Sequence, residues 1–72
     1  MKKYAIVNSE TNEFYPDPIY EDEDKIVKKI QYLHQYQIDN NMKRCCYGVE
    51  VLDEEREAQH NKEWNRYVSM ID

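Results

Sequence analysis

Along the chain the apolar positions switch between two spacings. Residues 3–8, Lys-Tyr-Ala-Ile-Val-Asn, form a short β-branched and aromatic run, which predicts a strand. Alternation places Ala5 and Val7 on one face and Tyr4 and Ile6 on the other. Both faces are apolar, so this strand is expected to be central, with something packed on each side. Asn8-Ser9-Glu10-Thr11-Asn12 is a turn cluster. Glu13-Phe14-Tyr15 then reads as a returning strand, which Pro16 and Pro18 stop and confine to a sheet edge because proline offers no N–H.

A helical spacing takes over at 22–40. Ile26, Val27, Ile30, Leu33, His34, Gln37 and Ile38 share one broad face at about 100° per residue. Acids crowd its start, where the helix dipole favours them. Asp22 is the expected N-cap. Asn40 and Asn41 suit its end, because asparagine tolerates the left-handed cap. Residues 44–52 alternate again, with Cys45, Tyr47, Val49 and Val51 expected inward and Cys46, Gly48 and Glu50 on a more polar face. Asp53 is a good N-cap for a second helix over 54–70. Its apolar stripe, His60, Trp64, Tyr67, Val68 and Ile71, occupies only the C-terminal half.

These elements predict a single α+β domain over residues 1–72, in the order β-β-α-β-α. The expected sheet has three antiparallel strands in the order 2-1-3, with two helices. The first helix covers one face. The second covers the other face, packs beside the first, or lends its stripe to a twin subunit as a homodimer interface.

Size and charge narrow the function classes. The chain has 72 residues and a formal charge of −5. Leu, Ile, Val and Phe account for only 14 residues, so the core is thin and a second subunit would help it. A large enclosed active site is excluded by the length alone. Charge is segregated: −5 over residues 1–24, +4 over 25–44 and −4 over 45–72. That distribution rules out a uniformly basic nucleic-acid binder. No apolar run approaches a membrane span of about 18 residues. The N-terminus lacks the apolar core of a signal peptide, and two unpaired cysteines suit a reducing compartment. A cytoplasmic location is the expectation.

No catalytic pattern stands out. His34, Cys45, Cys46 and His60 lack the paired spacing of a structural zinc site, so no metal or other cofactor is expected. Cys46 with either histidine is a conceivable nucleophile pair, but one glycine leaves little backbone for an oxyanion site. The acids at 21–24 and 53–57 read as solvated helix starts.

Aromatic residues are the more informative set. On the first helix, Lys25, Lys29, Tyr32 and Tyr36 lie within roughly 60° of one another, opposite the core face. Tyrosine is enriched in interfaces because it joins large contact area to a polar tip. The acidic stretch 10–24 interleaves Phe14, Tyr15 and Tyr20 with Glu21, Asp22 and Glu23. Together, Lys25, Lys29, Tyr32, Tyr36, Tyr15, Tyr20, Glu21, Asp22 and Glu23 form the expected partner-binding set. Trp64, Tyr67, Val68 and Ile71 form the expected dimer interface.

The hairpin–helix–strand order, opened by Tyr-Ala-Ile-Val-Asn and closed by Tyr-Gly-Val-Glu-Val, resembles in style the small accessory proteins of phages and mobile elements. The resemblance spans the chain loosely and carries no motif that specifies an activity. The leading expectation is a non-enzymatic module that regulates or inhibits a larger protein. The alternative is a nucleic-acid accessory protein using Lys25, Lys28, Lys29, Tyr32, Tyr36, Lys43 and Arg44, with base stacking on the tyrosines.

Overall fold

The computed structural model describes residues 2–71. Its elements run β1 (Tyr4–Asn8), α1 (Glu23–Asp39), β2 (Tyr47–Val51) and α2 (Glu54–Ile71). The strands pair antiparallel, Tyr4 opposite Val51 and Asn8 opposite Tyr47. The fold is therefore a small β-α-β-α arrangement on a two-stranded sheet, not the three-stranded 2-1-3 sheet that the sequence suggested.

The missing strand has a local cause. The segment after the first turn does run beside β1. Tyr15 N–H donates to Ile6 O at 2.9 Å, and Tyr4 and Tyr20 exchange bonds at 2.7 and 2.9 Å. Between those points Pro16 and Pro18 have no N–H and fixed φ, so pairing survives only as isolated bridges at Phe14 and Tyr20. This segment still occupies the outer edge of β1 and bonds Tyr4, the Ile6 carbonyl and the Asn8 N–H.

The helix ends follow local chemistry. The Asp22 carboxylate accepts the Asp24 N–H at 2.9 Å, and Asp53 accepts the Arg56 N–H at 2.8 Å, each satisfying a donor the helix leaves free. Asn40 closes α1, and Asn41 takes the left-handed conformation with φ 52°, as asparagine tolerates.

Strand alternation divides the packing. Tyr4 and Ile6 meet Ile26 and Leu33 of α1, with Tyr15, Tyr20, Ile30 and Tyr47 around them. The opposite face carries Ala5 and Val7, both buried. There the contacts with α2 are polar. Lys3 Nζ lies 2.5 Å from Glu57, and Arg56 pairs with Glu50 at 2.6 Å. Only His60 is buried on α2. The polar first half of α2 is thus its docking half.

The expected inward face of the last strand is only partly covered. Tyr47 is half-buried, but Val49 and Val51 are 39% and 56% exposed. They share a face with Tyr4 and Ile6, and α1 leaves them open. No helix among the described residues is long and apolar enough to cross a membrane.

Candidate functional site: an aromatic belt

Five aromatic residues from three separate stretches of sequence meet on one side of the molecule. On α1, the Tyr32 and Tyr36 rings lie 6.2 Å apart, one helical turn from each other. They are 59% and 47% exposed, not packed away against α2. Lys29 Nζ stands 5.4 Å from the Tyr32 ring centroid, within cation–π range. On α2, Trp64 and Tyr67 stack at 5.6 Å.

Tyr15 joins the two groups. It lines an open hollow of about 330 Å³ with Lys29, Tyr32, Leu33 and Tyr36. It also lines a tighter one of about 160 Å³ with Phe14, Pro16, His60, Trp64 and Tyr67. Its ring is fixed edge-on to Tyr47 at 5.3 Å. Burial raises the Tyr15 pKa, and the neighbouring Asp17 charge raises it further. Tyr15 owes this position to Pro16 and to its bond with Ile6. The broken edge that cost the sheet a strand is also what places Tyr15 between the helices.

The floor of the tighter hollow is built, not adventitious. His60 donates to Asp17 O at 2.9 Å, and the Phe14 ring meets His60 edge-on at 5.0 Å. The Arg56 guanidinium lies over the other side of that neighbourhood, 4.2 Å from the Phe14 centroid.

Other expected site residues are placed differently. Tyr20 packs against the core and its hydroxyl donates to Asp17; burial and that bond raise its pKa. Glu21, Asp22, Glu23 and Lys25 are exposed, with Asp22 spent as the N-cap. Val68 and Ile71 are 41% and 65% exposed, so the α2 stripe divides: His60 buried, Trp64 half-buried, the rest open. His34, Cys45 and Cys46 surround a separate hollow of about 310 Å³, while His60 is committed elsewhere. No group of three metal-binding side chains comes together among the described residues.

Helical spacing pairs Tyr32 with Tyr36 and Trp64 with Tyr67, but it assigns the first pair to a partner-binding face and the second to a dimer interface. Phe14 and Pro16 were missed as site residues, because nothing local marks a loop as a cavity wall. No protein family matches the chain, and no curated protein or solved structure matches it either.

Proposed function

We propose that the protein is a non-enzymatic binding module that regulates or inhibits a larger protein through this belt. The observation that carries the reading is the exposure of Tyr32 and Tyr36 beside a hollow that Tyr15 shares with the Trp64 side. Exposed aromatic area is costly to leave in water unless something covers it. Rings with few rotatable bonds also lose little entropy when a partner docks.

The charge around the belt favours a protein over a polyanion. Lys25 and Lys29 lie on its α1 side, but Glu63 lines the tighter hollow and the Asp17 charge acts on Tyr15. Both acids would repel a phosphate backbone. A peptide or protein surface presenting apolar anchors and a few cations fits this mixture better.

The test is affinity capture with the wild-type chain and with Tyr32→Ala/Tyr36→Ala, each with and without nuclease. The expected result is one near-stoichiometric protein, resistant to nuclease, whose affinity falls at least about tenfold in the double variant, as for loss of interface hot spots. Capture by both chains alike would overturn the reading. Retention that vanishes with nuclease would transfer the belt to nucleic acid.

A further inference from the structure

The outer edge of β2 is open, and its geometry is self-complementary. Ser9 N–H donates to Cys46 O, and Leu52 N–H donates to Lys3 O. The register then aims Cys46, Gly48, Glu50 and Leu52 at β1, because antiparallel strands alternate the direction of their backbone groups. Tyr47, Val49 and Val51 therefore aim their N–H and C=O groups away from β1. No third strand takes them among the described residues.

Natural edges are commonly blunted by lysine, proline, a bulge or an inward charge. Tyr-Gly-Val-Glu-Val has no lysine, no proline and no bulge. Its one charge, Glu50, belongs to the α2 face and is tied to Arg56. The edge is closed only at its N-terminal limit, where Gln37 accepts the Cys45 N–H at 2.9 Å. His34 stands 3.5 Å from the Tyr47 N–H, too long to hold that donor against a carbonyl.

We propose that β2 pairs antiparallel with β2 of a second copy, centred on Val49, to make a continuous four-stranded sheet. In this register Val49 faces its own copy, and Tyr47 of each chain faces Val51 of the other. All three use their outward groups. The half-exposed valines are then covered by their counterparts and by tyrosine.

The flanks supply the charge match. Lys43 and Glu55 lie equally far from Val49 on opposite sides, and so do Arg44 and Glu54. Two-fold pairing therefore sets the basic segment that leads into each β2 at the end where the other β2 hands over to the acidic first turn of α2, twice per interface. A register centred on Glu50 would set like charges directly opposite, which is unfavourable. The charge pattern thus selects the partner, the direction and the register.

The experiment is the mass in solution by analytical ultracentrifugation from micromolar to millimolar chain concentration. Wild type is expected at twice its 8.9 kDa. Val49→Pro removes an outward N–H that bonds nothing among the described residues, and should be monomeric with an unchanged circular dichroism spectrum. Lys43→Glu/Arg44→Glu and Glu54→Lys/Glu55→Lys should each be monomeric alone and should form a one-to-one heterodimer when mixed. Tyr32→Ala/Tyr36→Ala should remain dimeric, which separates this interface from the partner-binding belt. A monomeric wild type at millimolar concentration would overturn the proposal. So would a Val49→Pro dimer, or charge-reversed chains that fail to pair on mixing.

Discussion

The imidazole of His60 donates from Nε2 to the backbone carbonyl of Asp17, 2.9 Å away and 43 residues earlier in the sequence. This bond ties α2 to the loop that carries Phe14, Tyr15 and Pro16, and so holds the tighter half of the belt together. His60 is only 2% exposed, and its Nδ1 has no partner among the described residues, so its place in the fold rests on this one bond and on ring packing. His60→Phe keeps the ring and removes the bond. It is expected to cost about 1–3 kcal/mol, because the Asp17 carbonyl is left unsatisfied. Urea denaturation measures this directly; an unchanged midpoint would show that water replaces the bond at no cost.

Arg56 is the second tie between α2 and the rest. Its Nε and Nη2 reach both oxygens of Glu50, at 2.6 and 3.1 Å, while the guanidinium plane covers Phe14. Hydrogen bonding to Glu50 raises its pKa. Arg56→Lys keeps the charge but loses the fork and the stacking. The expected loss is about 1 kcal/mol, kept small because the pair is partly exposed. Denaturation at low and high salt checks it: added salt should narrow the gap between the two proteins.

Three tyrosines make the fold sensitive to alkali. Burial is the first cause of the raised pKa of Tyr15, Tyr20 and Tyr47. A phenol with a raised pKa keeps its proton in the folded chain at a pH where the unfolded chain has lost it. Its contribution is therefore complete below the ordinary value of 10.0 and is lost as pH climbs through the folded value. Stability is expected to fall above about pH 10. Tyrosinate absorbance followed with circular dichroism tests this. The late-titrating phenols should ionise together with loss of structure, and ionisation of every tyrosine in one early step would contradict it.

Gly48 is the only glycine, and its backbone does not need to be one. Its φ is not positive, and an added Cβ would meet Ser9 Oγ at 3.4 Å, an ordinary contact. Gly48→Ala should raise stability by about 0.4–1 kcal/mol by restricting the unfolded chain. A thermal scan showing a lower melting temperature would mean that Ser9, which donates to Cys46 O at 3.0 Å, has no room to yield.

The features legible in the chain alone are local ones. Asp22 and Asp53 marked both helix starts, Asn40 and Asn41 marked the end of α1, and alternation marked β1 and the parity of β2. These features depend on groups a few residues apart, so the chain shows them without its fold. How far each apolar residue is covered depends on the packing of distant elements. Val49 and Val51 have the right parity for a core face yet stay exposed, because coverage depends on where α1 crosses the sheet. Pro16 and Pro18 announced an interruption, but only the folded chain shows that the remaining bridges leave two paired strands, and that the loop delivers Tyr15 to the gap between Tyr32 and Trp64. Local periodicity carries no information about which distant faces meet. That is settled by the competition among all faces for a small buried volume, and the belt and the open edge of β2 are both products of it.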